Sequence, residues 1–168
     1  MPNTEVWQRG PIDGLPPLLQ PVAHTLLQCA EELEATLTGL TPEEIWCASD
    51  ATAASIGFHV RHAIGALDRL FTYARDETLS DGQRQIAAEE SRPDPSLDAD
   101  VLLARVRAAV DNGLVQVRAT SEATLTNARF VGRAKLPSTV IGLLFHAAEH
   151  TQRHAGQALT TRKLLIGR

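Results

Sequence analysis

Apolar residues recur at helical spacing in four stretches of this chain. Val22, Leu26, Leu33 and Leu37 predict a first long helix from about Leu18 to Thr38, closed by Gly39. Ile56, Val60, Ala63, Leu67, Leu70 and Ala74 form one stripe of a second, from about Ala51 to Arg75, with Asp50 or Ser49 as its cap. Val101, Leu102, Val106, Ala109 and Val110 mark a third, from about Ser96 to Arg118, in which Asn112-Gly113 is a candidate kink. Val140, Leu143, Leu144, Ala147, Thr151, Ala155 and Ala158 share one side of a fourth, from Ser138 to about Leu165.

The intervening segments read as connectors. Residues 1–16 are irregular, and Pro11, Pro16, Pro17 and Pro21 punctuate the approach to the first helix. Thr41-Pro42-Glu43-Glu44 carries an N-cap threonine, a proline at the first helical position and two acids, which predicts a short turn of helix through Trp46. From Thr78 to Pro95 the chain is polar, a long crossover between the second and third long helices in which Asp81 to Glu90 can form a short surface helix. Thr120 to Pro137 reads as a loop, extended at Phe130-Val131-Gly132. With 24 alanines and 22 leucines and no clear strand-type alternation, the expectation is an all-α fold: a four-helix bundle in one domain over residues 1–168.

Charge narrows the function classes. Sixteen Lys+Arg against twenty Asp+Glu leave a formal charge of −4, which argues against a nucleic-acid partner bound by phosphate neutralisation. Cys29 and Cys47 are too few for a disulfide scaffold, so a reducing compartment is expected. The first ten residues lack a signal-peptide pattern, and no apolar run approaches the ~18 residues of a membrane span. A soluble, cytoplasmic protein acting on a small molecule, with no membrane partner, is the expectation.

Histidine changes the picture. Of six, His24 stands alone, while His59 and His62 share the second long helix and His146, His150 and His154 the fourth. A lone histidine on an apolar face is ordinarily a hydrogen-bonded core or surface group, but five on two helices are a constellation. Spacing of i, i+4, i+8 puts the last three on one strip about 80° wide, and an i, i+4 pair can chelate one ion. Measured from the centre of the apolar arc, His154 lies about 40° away, His150 about 80° and His146 about 120°. His150 and His154 are therefore the better ligand pair, and His146 a flanking group that orients a ligand or a substrate. The second helix offers His59 or His62 as third ligand, and periodicity alone leans to His59. Three protein ligands leave positions open for substrate.

These motifs carry a resemblance. Ser55-Ile-Gly-Phe-His59-Val-Arg-His62, with Leu144-Phe-His146-Ala-Ala-Glu-His150-Thr-Gln-Arg-His154-Ala-Gly-Gln157, is similar to the DinB/YfiT-like superfamily in residue pattern and helix order. The resemblance implies that His62, His150 and His154 hold a divalent ion, with His59 supporting them from outside; on the fourth helix His146 is the flanking group, and Gln157 either hydrogen-bonds a ligand histidine or packs. It also implies a metal-dependent enzyme of the thiol-dependent transferase or isomerase type, using a low-molecular-weight thiol such as mycothiol or bacillithiol, or one of hydrolase type. The alternative is a non-catalytic, stress-associated metal-binding or dimerisation module.

Imidazole ligation suits Zn, Ni or Fe, and an open site of this kind is a Lewis acid that lowers the pKa of a bound water or thiol. His59, Glu149 and His146 are the candidates for moving protons. Glu149 precedes His150 instead of following His146, so the HExxH zinc-protease motif is absent. Arg61, Arg69 and Arg153 are candidate receptors for an anionic substrate. No nucleophile elbow, phosphate-cradling glycine loop or dinucleotide fingerprint is present. Apolar surface on the first and fourth long helices, beyond what the bundle needs, points to a homodimer.

Overall fold

The computed structural model describes residues 4–48 and 54–167. The chain is mostly helical: α1 spans Gln20–Leu37, α2 Pro42–Trp46, α3 Ile56–Ala74, α4 Asp81–Glu89, α5 Ala99–Ala119 and α6 Val140–Ile166. Two short strands, β1 (Ala128–Val131) and β2 (Leu136–Thr139), pair antiparallel with Ala128 opposite Thr139. This hairpin corrects the all-α expectation. Gly132 and Lys135 turn at positive φ, 67° and 49°, which lets the chain double back inside a segment whose sequence reads as a loop extended at Phe130-Val131-Gly132, without a pairing partner.

Helix ends depend on single side chains. Thr41 and Glu44 close a capping box around the start of α2, as the Thr-Pro-Glu-Glu run predicts. The Ser55 hydroxyl accepts from the Phe58 backbone N–H at 3.1 Å, so α3 starts later than Ala51 and is capped by Ser55. Ser49 and Asp50, the caps expected from sequence, lie outside the described residues. Asp98 caps α5, and Thr139 rather than Ser138 caps α6. α5 runs unbroken through Asn112-Gly113. A side chain at Gly113 would begin 3.3 Å from Leu26 Cδ1, so the glycine serves close approach of α1 rather than a kink.

α6 packs against α1 and α3, and α5 packs against the same two helices, so the four long helices form a closed ring. The apolar interior falls into two clusters. One holds Leu19, Val22, Leu26, Leu67, Phe71, Val110, Val117, Val140 and Leu144; the other holds Leu33, Leu37, Ile45, Trp46, Ile56, Val60, Leu102, Val106, Ala155 and Ala158. Between these clusters α3 carries His62 and α6 carries His150 and His154, so packing at both ends fixes how the two helices face each other at the polar seam.

Two further features position that seam. The first free amides of α6 are taken up by the chain ahead of the hairpin: Val140 N–H donates to the Asn127 carbonyl at 3.1 Å and Ile141 N–H to the Leu125 carbonyl at 2.9 Å. The crossover, with α4 inside it, lies against α3. Gln83 donates to Asp68 Oδ2 at 2.7 Å and to the Thr72 hydroxyl at 2.8 Å, and Arg61 donates to the Arg92 carbonyl at 2.8 Å. No helix among the described residues is long and apolar enough to cross a membrane.

Candidate metal centre

His62 on α3 and His150 and His154 on α6 each offer one ring nitrogen, and the three nitrogens lie within 4.8 Å of one another. His150 and His154 are successive turns of one helix, with ring centroids 4.6 Å apart, and the His62 ring sits 5.1 Å from the first and 4.6 Å from the second. His62 Nε2 is 3.0 Å from His150 Nε2. Two imidazoles sharing an ion at ~2.0–2.1 Å hold their nitrogens about 3.0–3.4 Å apart. The observed gap therefore fits a common ion with little movement. Among the described residues His150 Nδ1 is buried with no hydrogen-bond partner, a polar atom that protein contacts leave unsatisfied.

Behind His62 stands a residue that sequence reasoning missed. Glu90, the residue after α4, is 4% exposed, and its Oε2 lies 2.8 Å from His62 Nδ1. Arg69 holds the other carboxylate oxygen, Oε1, through Nη1, and its Nη2 lies 3.3 Å from Oε2. Burial alone would raise the Glu90 carboxyl, but hydrogen bonds from His62 and Arg69 outweigh it and keep the group below the usual carboxylate range. A Cβ at Gly65 would fall 2.3 Å from Glu90 Oε1, so only glycine leaves the slot in which the carboxylate lies. The available signal was Gly65 itself: a glycine inside an apolar helix costs about 1 kcal/mol against alanine and marks a close approach.

The remaining sequence candidates separate cleanly. His59 is buried, with its Nδ1 3.0 Å from His154 Nδ1, so it touches a cluster member from outside the three-nitrogen group. Burial, then repulsion from His62, lowers the His59 pKa. Phe58 stacks on His62 with centroids 5.4 Å apart. His146 flanks the strip: its side chain is half exposed, its centroid is 5.6 Å from that of His150, and its Nδ1 is 3.3 Å from Glu149 Oε2.

Glu149 is taken up by Arg153, whose Nε donates to Oε1 at 3.1 Å, and this bond first and foremost holds the carboxyl ionised. Gln157 is exposed and makes no hydrogen bond to a histidine among the described residues. It lies seven residues past His150, about 10 Å along the helix axis, beyond the last ring of the cluster.

The arginines considered for an anion are engaged within the chain. Arg153 pairs with Glu149 and Arg69 with Glu90, while Arg61 sits 5.8 Å over the Trp46 ring. Arg61 and Arg69 also border a cavity of about 670 Å³ between α3, α4 and α5, floored by Leu67 and Phe71, and no histidine lines it. On the α1 side, the buried Cys29 thiol donates to Gln152 Oε1 at 3.1 Å and Gln152 donates to Glu32 at 2.7 Å. Burial pushes that thiol up to about 12, which makes Cys29 a packing group and not a nucleophile.

Burial, then repulsion from His62, lowers both His150 and His154, the latter to about 4. Both imidazoles are therefore neutral near pH 7, the form in which a ring nitrogen has a lone pair for a cation.

Comparison with known proteins places this arrangement. No curated protein matches the chain. Among solved structures, the chain is similar to a conserved protein of Enterococcus faecalis, with 22% identity, a TM-score of 0.72, and coverage of 90% of this chain and 98% of that one. That likeness shows the fold. The DinB superfamily pattern matches residues 25–158, a span that contains most of each long helix and every histidine of the cluster. The chain belongs to the DinB superfamily.

Proposed function

We propose that the protein is a DinB-type four-helix bundle that holds one divalent ion through His62, His150 and His154 and acts on a small molecule, as a thiol-dependent transferase or isomerase or as a hydrolase. The observation that carries this reading is the convergence of three ring nitrogens within 4.8 Å, on helices fixed by separate apolar clusters at both ends. Zinc, nickel and iron(II) all suit imidazole donors. A bound ion supplies a Lewis acid with positions left for a ligand, such as a low-molecular-weight thiol or a carbonyl. The chain's own part is to present neutral imidazoles and to hold His62 from behind through Glu90. On the half-exposed flank, His146 and Glu149 stand where a small molecule arriving beside His150 meets proton-exchanging groups.

The test begins with metal analysis of protein made without a histidine tag. About one divalent ion per chain, lost in His150→Ala/His154→Ala, supports the site; absence of any ion after incubation with Zn²⁺, Ni²⁺ and Fe²⁺ sinks it. Loaded protein is then assayed with several thiols and electrophiles for metal-dependent thiol consumption. A second reading, a non-catalytic metal-binding module, is favoured by the engagement of Glu149 with Arg153, and inertness across that panel would select it.

The proposal extends to a homodimer through the α1–α6 face. There Phe145 is 61% and Leu18 63% exposed, beside an apolar groove bordered by Pro21, Val22 and Ala148. Sedimentation of the protein and of Phe145→Glu tests it, the variant being expected to run as a monomer.

A further inference from the structure

The crossover between α3 and α5 poses a question of economy. α4 has no buried residue, so it adds nothing to either apolar cluster, yet the segment is fastened to α3 by Gln83, Arg61 and Arg69. From Thr78 to Pro95 the one buried side chain is the carboxylate of Glu90. A buried ion pair is no cheaper than a well-packed apolar contact, so stability alone does not account for Glu90. Its geometry does. Arg69 secures Oε1, and Oε2 is thereby presented to His62 Nδ1 at 2.8 Å.

We propose that Glu90, clamped by Arg69 in the slot left open by Gly65, is the positioning residue of His62, and that it fixes this ring with Nδ1–H toward the carboxylate and the Nε2 lone pair toward His150. The chemistry is that of donors and acceptors. An ionised carboxylate accepts only, so His62 Nδ1 must be the donor, and in the neutral ring Nε2 is left without a proton. Nε2 is the nitrogen that faces His150 at 3.0 Å. In the protein without an ion, His150 Nε2–H then donates across that gap. This leaves His150 Nδ1 as an acceptor without a partner, as the structure shows it. Carboxylates that take the second N–H of a ligating histidine raise its basicity and hold its orientation, and their loss typically lowers metal affinity by about 10–100-fold.

The role rests on the metal reading above only in its consequence; the ring's tautomer can be read without any ion. Nitrogen NMR of the metal-free protein near pH 8 is expected to show His62 protonated at Nδ1, with the Nε2–H form appearing in Glu90→Gln. Competition with a chelator is expected to show zinc affinity about 10–100-fold weaker in Glu90→Gln, with partial recovery in Glu90→Asp, which keeps the charge on a shorter side chain. Should Glu90→Gln fail to fold because Arg69 is left buried and unpaired, Arg69→Met/Glu90→Gln removes both charges and is expected to lose the Nδ1–H preference in the same way. A wild-type His62 protonated at Nε2, or a tautomer and affinity unchanged by Glu90→Gln, overturns the proposal. A tautomer that responds as expected in a protein that binds no zinc supports the positioning role and sinks the metal reading alone.

Discussion

The two ends of the histidine cluster keep their rings ready for a cation by different means. At the His62 end an ionised carboxylate stands behind the ring, itself held by a guanidinium. At the His154 end no carboxylate among the described residues stands against the ring: His59 and His154 face each other through their Nδ1 atoms at 3.0 Å, and burial drives His154 to about 4. One end chooses which nitrogen bears the proton; the other disfavours a second proton altogether. The difference teaches that position on a helical stripe and role in a site are separate properties. His59 lies nearer the apolar arc and is the more buried, but the ring with the directed partner is His62.

The sharpest test of this contrast exchanges the two ends. His62→Ala is expected to lower zinc affinity by more than about 100-fold, whereas His59→Ala, which removes only an outside contact, is expected to cost less than about 10-fold. Isothermal titration of each variant measures this, and the reverse order would make His59 the α3 ligand.

Acid stability of the metal-free protein probes the buried end. His154 titrates near 4 when folded against about 6.5 when unfolded, so the unfolded chain binds the extra proton first. Its contribution is intact above pH 6.5 and is lost as the pH falls from about 6.5 to about 4. His59 and His150, also lowered, add slope in the same direction. The loss from His154 is on the order of 2 kcal/mol after allowance for its partial exposure. Urea unfolding across that range should show the decline, and His154→Gln should flatten it.

Smaller effects test the frame around the cluster. A Cβ at Gly57 would lie 2.6 Å from the Trp46 ring, so Gly57→Ala is expected to cost about 1–3 kcal/mol in thermal unfolding while leaving metal stoichiometry unchanged. Gln157→Ala is expected to change stability by less than about 0.5 kcal/mol and metal affinity not at all. A measurable loss of affinity there would extend the site past His154.

Much of the frame was legible because helical periodicity is a strong, local signal. The stripes of α1, α3, α5 and α6 and the Thr41 cap could be read from spacing alone. Boundaries were less so, since Ser49, Asp50, Ser55 and Ser138 to Thr139 all offer cap-type side chains and only folded geometry chooses among them. The β hairpin escaped because four-residue strands flanking a polar turn carry almost no periodicity.

His150 and His154 stood out by their spacing on one helix, while the choice between His59 and His62 depends on the rotation of α3 against α6, which no single-helix pattern contains. Glu90 was invisible for a related reason. Its partners are 21 and 28 residues away, and in sequence it is one more acid in a polar crossover.

The amides of Val140 and Ile141, tied to the chain ahead of the hairpin, give α6 a fixed origin from which its residues are counted. Each residue of an α-helix advances the phase by about 100° and the height by 1.5 Å. An insertion in the turn at 132–135 is absorbed before that origin and leaves the imidazoles in phase. One added residue between Val140 and His146 swings all three α6 histidines about a quarter of a circle out of the seam. That tether is thus a datum: change of length is tolerated in the hairpin turn ahead of it and forbidden between Val140 and His146 beyond it.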